Sequence, residues 1–248
     1  MLLTPIAKVP QHMNSKTHSN RLTLARNFQA EILKFYSTEE ASGQLHGDSF
    51  SSHKQNVQNE LAKKLEAGDY PSPQQQPVCR FLDDLLSTSA LTLFGGLTKS
   101  IQALSPFLCW KLNQNYRDVF PDHFFENESF AEIIGPGGLL YNQNMRAGLL
   151  LLGEAVDYPS HYHEATEWYH VINGSGLWQQ DNSDYRLREP GSAIFHRERE
   201  NHAMRCKDQA VLALWSWSGE LDCVAIANPS ETLDANVKYN PPLNLEEE

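Results

Sequence analysis

The chain has little of what would tie it to nucleic acid, to a membrane or to a disulfide framework. Its 248 residues carry 20 Lys and Arg against 31 Asp and Glu, a formal net charge of −11. A polyanion binder needs a basic footprint, so this balance argues against nucleic acid as a partner. It suits a cationic small molecule. No apolar run reaches the roughly 20 residues that cross a bilayer. Pro5, Lys8 and Pro10 interrupt the opening residues, where a secretory segment needs an apolar stretch. Cysteine is scarce. Cys79, Cys109, Cys206 and Cys223 show no C-x-x-C spacing of a zinc ribbon or redox motif. These absences predict a cytoplasmic protein with reduced thiols, free of membrane and nucleic acid. The sequence leaves a homodimer open.

What is present divides in two. Residues 1–20 are polar. From Arg21 to Tyr36 apolar residues recur at helical spacing. Ser37 to Ser52 reads as a loop, and a second helix is expected over Val57 to Glu66, stopped by Gly68. A third helix is expected over Val78 to Leu86, and a further apolar segment over Leu91 to Leu104. After Pro121 the texture changes to short apolar segments punctuated by glycine and turn residues. Strands are expected at Ala131–Ile134, Trp168–Ile172, Gly176–Gln180, Ser192–Phe195, His202–Cys206, Val211–Trp217 and Leu221–Ala225. That is the pattern of an antiparallel jelly roll. The expected fold is α+β: a helical N-terminal region over 1–125 and a mainly β barrel over 126–248, packed together. The polar tail after Asn228 reads as loop.

The densest chemistry lies in one run, H-x-H-x-x-x-E-x-Y, made by His161, His163, Glu167 and Tyr169 and closed by Gly174. Imidazole and carboxylate suit zinc, iron, nickel or manganese. On an unbroken strand the side chains alternate, so all four groups would share one face. His170 alternates away from it. Arg146 sits on a strand entering the β region, where it can pair with a carboxylate. His12, His18, His46, His53 and His123 lie outside these motifs and are expected in solvent.

This run resembles the first characteristic motif of the cupin superfamily, although Gly153 lies further upstream than that motif's opening glycine. The second cupin motif places one more histidine after a Pro-Gly turn. Here Pro190-Gly191 leads to His202, with His196 as a rival. The resemblance thus implies a metal site of His161, His163, Glu167 and His202 for one divalent ion, whether Zn, Fe(II), Mn, Ni or Co. A narrower resemblance rests on Tyr158, Tyr169, Trp178, His202-Ala-Met204 and the strand holding Trp215 and Trp217. This combination is similar to the dimethylsulfoniopropionate lyases, bacterial cupin enzymes with a helical N-terminal part.

That resemblance implies a zwitterionic small-molecule substrate and β-elimination to dimethyl sulfide and acrylate. A base must take the proton beside the substrate carboxylate. A metal-bound carboxylate would make that proton more acidic. Tyr169 is the expected base and Tyr158 the second choice. Aromatic faces tolerate a sulfonium, which points to Trp178, with Trp168 or Trp215 behind it. Trp215 and Trp217 are expected mainly as core. Alternatives are another cupin enzyme, an isomerase or Fe(II) dioxygenase on a small organic acid, or a non-enzymatic cupin sensor.

Overall fold

The computed structural model describes residues 15–87 and 94–228. Its α-helices are α1 (Ser15–Tyr36), α2 (Asp48–Leu61), α3 (Leu82–Ser87), α4 (Gly95–Leu104) and α5 (Asp122–Asn127). Most strands follow them: β2 (Glu128–Gly135), β3 (Leu140–Tyr141), β4 (Arg146–Leu152), β5 (Val156–Tyr162), β6 (Thr166–Asn173), β7 (Gly176–Gln180), β8 (Arg186–Arg188), β9 (Ala193–His196), β10 (His202–Cys206), β11 (Val211–Ser218) and β12 (Ile226–Ala227). The exception is β1 (Glu66–Ala67), which pairs with β3 from within the helical part of the sequence.

The strands form two sheets. One runs β1-β3-β2-β4-β11-β6-β9 and the other β12-β5-β10-β7-β8. Tyr158, Trp178 and Met204 from the second sheet share a core with Tyr169, Val171 and Ala213 from the first. The two sheets therefore pack face to face. No ladder joins their edges among the described residues, so the expected closed barrel is corrected to a two-sheet sandwich sealed by side-chain packing.

The larger sheet is buried on both faces. Tyr169, Val171, Val211, Ala213 and Trp215 point toward the smaller sheet. Trp168, Ile172, Leu149, Leu151, Leu212 and Leu214 join Phe28, Ile32, Phe50 and Ile101 of the helices. Two apolar faces explain why β4 and β11 read as nearly continuous hydrophobic runs rather than as alternation. At the far end of β6, Gly174 takes φ 75°. A Cβ there would collide with the carbonyl of Ala210, so the glycine closing the motif is required by its turn.

Several expected boundaries move. α2 begins at Asp48, inside the expected loop, and ends at Leu61, while Glu66 lies in β1. The third expected helix opens as a 3-10 turn over Pro77–Phe81 before α3, because Pro77 starts it. Leu221–Ala225 is not a strand, and β12 forms just beyond it. The tail from 229 onward, most of the polar N-terminal stretch and residues 91–93 lie outside the described residues.

Candidate metal centre

The H-x-H-x-x-x-E run is a strand, a turn and a second strand rather than one strand. β5 ends at Tyr162 in the smaller sheet, the chain turns through His163, Glu164 and Ala165, and β6 begins in the larger sheet. The motif therefore bridges the two sheets at a corner. β10 lies beside β5 with His202 opposite His161. On β6, Glu167 is flanked by Trp217 of β11 and His196 of β9. Convergence comes from the sheet corner, and alternation along a single strand is not what achieves it.

Ligand atoms of His163, Glu167 and His202 lie within 4.8 Å of one another. His161 stands outside this tightest group, with its ring centroid 4.1 Å from that of His202. All four residues are buried.

The ring nitrogens show what the cluster fits. His161 Nδ1 lies 2.9 Å from Pro159 O, His163 Nδ1 2.8 Å from Ala165 O, and His202 Nδ1 2.9 Å from Glu200 O. A carbonyl oxygen only accepts, so each Nδ1 carries the proton and donates it. In a neutral ring the Nε2 is then a lone pair. His163 Nε2 faces Glu167 Oε2 at 3.0 Å, and His202 Nε2 faces the same oxygen at 3.4 Å. His202 Nε2 has no hydrogen-bond partner. Buried lone pairs directed at a carboxylate oxygen lack a positive centre between them. A divalent cation held by His161, His163, Glu167 and His202 would supply one, and the backbone carbonyls set the histidines in the tautomer that ligation would need.

The surroundings are tuned in the same sense. Burial alone would raise the Glu167 carboxyl. The adjoining His163 and His202 outweigh it and hold the group well below the usual carboxylate range. Trp217 Nε1 donates to Glu167 Oε1 at 2.6 Å, which leaves Oε2 facing the histidines. The Trp217 ring also lies 4.2 Å from that of His163. Burial, with His202 adding to it, pushes His161 well below its ordinary value. His196 is stacked 4.0 Å from His202, is fully buried, and has no partner at either ring nitrogen.

A cavity of about 160 Å³ opens beside the cluster. His161, His163 and Glu167 line it, together with Tyr158, Tyr169 and Arg146. Burial, followed by the charge of Glu167, pushes the Tyr169 hydroxyl well above its ordinary value. Tyr158 is raised too, by burial and then by Tyr116, and its ring stacks on His161 at 4.2 Å. Arg146 reaches in from β4 with its guanidinium 5.8 Å from the Trp217 ring centre.

Of the expected sulfonium aromatics, Trp215 lines the cavity and Trp168 and Trp178 sit elsewhere. Trp168 is turned to the helical side of β6, where it stacks on Tyr36 at 4.4 Å. Even-numbered residues of that strand face away from the cavity. Trp178 is buried beneath Tyr169, with ring centroids 6.5 Å apart, and does not line the cavity. Trp215 and Trp217, expected mainly as core, line it instead. His53 is not in solvent. It is buried and hydrogen-bonded to Thr166, Ser216 and Ser218. His170 faces the helices as expected, bonded to Ala41 O.

The family comparison decides what kind of site this is. Residues 48–213 match the family model described as dimethylsulfoniopropionate lyase, a span that includes His161, His163, Glu167, Tyr169 and His202. The chain belongs to the dimethylsulfoniopropionate lyase family. Among curated relatives, a putative dimethylsulfoniopropionate lyase, DddL of Cereibacter sphaeroides, is 26% identical over 172 residues, covering 67% of this chain and 71% of that protein. The dimethylsulfoniopropionate lyase DddQ of Ruegeria pomeroyi is 24% identical over 135 residues, covering 54% of this chain and 67% of that protein. The crystal structure of that DddQ superposes with a TM-score of 0.65 at 20% identity, over 83% of this chain and 96% of that one. The two chains share a fold.

None of the site residues expected from the motifs precedes Arg146. Asn113 and Asn115 nevertheless line the cavity, from the segment ahead of α5, and so does Glu128 at the start of β2. Glu128 begins the period-2 pattern Glu128, Phe130, Glu132 on a strand, which was the available signal. The two asparagines lie in a 3-10 turn with no motif to mark them.

Proposed function

We propose that this protein cleaves dimethylsulfoniopropionate to dimethyl sulfide and acrylate at the corner formed by His161, His163, Glu167 and His202. The observation that carries the reading is the set of backbone-oriented imidazole lone pairs around Glu167, beside a small cavity in a chain of this family. The four side chains would hold one divalent ion. When bound, that ion supplies a Lewis acid for the substrate carboxylate, acidifying the adjoining C–H.

The chain's own groups do the rest. Tyr169 stands two residues beyond Glu167 on the same face of β6 and lines the cavity. As the phenolate, a form that burial and Glu167 oppose and that a divalent ion at the corner would favour, its oxygen accepts the proton from the carbon beside the carboxylate, and the electron pair left behind expels the neutral sulfide. Tyr158, stacked on His161, holds the opposite wall. Arg146 and the ring faces of Trp215 and Trp217 shape the space around the substrate. The helices cover the face of the larger sheet that points away from the cavity, with 1–125 and 126–248 as functional halves of one cupin enzyme. No helix of the described residues is long and apolar enough to cross a membrane. The four cysteines are free, which fits work in a reducing cytoplasm.

The test is headspace gas chromatography of metal-loaded protein incubated with dimethylsulfoniopropionate, with acrylate followed by proton NMR. Equal release of the two products, undiminished without oxygen, is expected. No dimethyl sulfide, or release that requires oxygen, would overturn the reading.

A further inference from the structure

Opposite the histidine corner, the cavity has an acidic wall. Glu128, Phe130 and Glu132 alternate onto one face of β2, and all three line the cavity. β2 lies three strands from β6 across the sheet, in the order β2-β4-β11-β6. That is roughly 14 Å at the usual strand spacing, before side chains reach in from both sides. Trp215 stands between, opposite Tyr169 on one neighbour and Gly148 on the other, and Gly148 is in turn opposite Glu132.

Glu128 is the unusual member. It is 1% exposed, and its Oε2 has no hydrogen-bond partner. Burial pushes its carboxyl up to about 8, against the pull of the Asn113 backbone N–H. Tyr158 and Tyr169, the phenols that flank the histidines, line the same cavity. Neither Glu128 nor Glu132 forms an ion pair among the described residues. Glu132 Oε1 is occupied by the Gly137 N–H at 2.9 Å. Arg146, the cation on this side of the cavity, faces Trp217 instead.

A buried carboxyl with a free oxygen is costly to keep and gains most from a desolvated cation. We propose that Glu128 is the specificity-determining residue for the cationic end of the substrate, pairing with the sulfonium while the carboxylate end lies at the histidine corner. This rests on the reading of the protein as a dimethylsulfoniopropionate lyase. It has a kinetic consequence. The sulfonium charge disappears as the sulfide leaves, so Glu128 stabilises bound substrate more than the transition state. Its removal should therefore raise KM without lowering kcat.

The test separates binding from turnover. Titration calorimetry on metal-loaded protein compares trimethylammonium propionate, a zwitterion, with 4,4-dimethylpentanoate, the anion in which an uncharged tert-butyl group replaces the trimethylammonium. Wild type should bind the zwitterion at least about tenfold tighter, and Glu128→Gln should bring the two within about twofold while binding the tert-butyl compound at least as well as before. Glu128→Asp, which keeps the charge, should retain part of the preference, and it serves if the Gln variant does not fold. With dimethylsulfoniopropionate, Glu128→Gln should raise KM by about tenfold or more, with kcat unchanged or higher. Equal binding of the two analogues by wild type would overturn the inference, as would an undiminished preference in Glu128→Gln. Either result leaves the lyase reading standing if dimethyl sulfide is still released. The expected preference in a protein that releases none would leave the charge recognition standing and remove the lyase reading.

Discussion

The two faces of β6 each bury histidine chemistry, and they treat it in opposite ways. Behind the strand, His53 of α2 has both ring nitrogens engaged: Nδ1 with Thr166 Oγ1 and Ser218 Oγ at 2.8 Å each, and Nε2 with Ser216 Oγ at 3.2 Å. Tyr36 closes the network by donating to Ser216 Oγ at 3.3 Å. In front of the strand, His163 and His202 each satisfy one nitrogen with a backbone carbonyl and direct the other at Glu167. His53 is completed by the protein, whereas the front histidines fit a cation that would complete them. Burial does not separate these cases, and neither does a lone pair by itself, since His170 Nδ1 behind the strand has no partner among the described residues. Lone pairs converging on a carboxylate do.

The strongest way to break this contrast is to remove a front ligand. Glu167→Ala and His202→Ala should each lose most bound metal and bring dimethyl sulfide release to background, as measured by elemental analysis and headspace assay. His196→Ala should keep the metal. Full occupancy in His202→Ala with loss in His196→Ala would transfer the ligand role to His196, which stacks on it.

Next in size is the base. Tyr169→Phe removes one oxygen and should keep the metal, hold substrate binding within a small factor and lower kcat by about 10²–10⁴-fold. Tyr158→Phe should be milder. Solvent deuterium exchange into the carbon beside the carboxylate should fall with kcat in Tyr169→Phe. Normal turnover there, together with an inactive Tyr158→Phe, would reverse the two roles.

A smaller effect is expected one step behind the ligands. Trp217→Phe keeps an aromatic ring beside His163 but deletes the donor to Glu167 Oε1. Loss of such an outer partner usually costs about 10–100-fold in metal affinity or activity. Chelator competition should show weaker metal binding, and saturating metal should recover most of kcat. Unchanged affinity would make Trp217 a wall of the cavity and nothing more.

The cluster of His163, Glu167 and His202 was legible because H-x-H-x-x-x-E and the histidine after Pro190-Gly191 name their own chemistry, and β6, β7, β9, β10 and β11 were legible because glycine and turn residues punctuate them, whereas the short polar β8 was not. Other features depend on long-range partners. Trp168 and Trp217 are both tryptophans on adjacent strands near the motif, and nothing local says which side each serves. The helices covering the outer face decide it, and α2 itself was only half visible because its first turns, rich in Ser and His, lack an apolar stripe. His53 looked like a solvent residue for the same reason, since its three hydroxyl partners are more than 100 residues away in sequence. Glu128 was missed because an acidic residue at the start of a strand ordinarily faces water.

The rear network gives the finest test of the contrast, through acid stability. Burial holds His53 in the folded protein at about 3, far below its ordinary value of 6.5. The unfolded chain therefore takes up this proton first as pH falls. The stability linked to neutral His53 is whole above about 6.5 and is lost as pH drops toward 3, at up to about 1.4 kcal/mol per pH unit. His53→Gln removes that dependence but also weakens a buried hydrogen-bond network, at a cost of about 1–3 kcal/mol. The variant should thus be less stable at pH 8. By pH 5, where the protonation penalty at His53 reaches about 2 kcal/mol, the two proteins should be nearly equal, and below it the variant should be the more stable. Urea denaturation of metal-free protein at several pH values measures this, and the front histidines, common to both proteins, cancel in the difference. A gap that stays constant from pH 8 to pH 5 would mean that His53 is charged or hydrated in the fold, and the rear face would then be no better completed than the front.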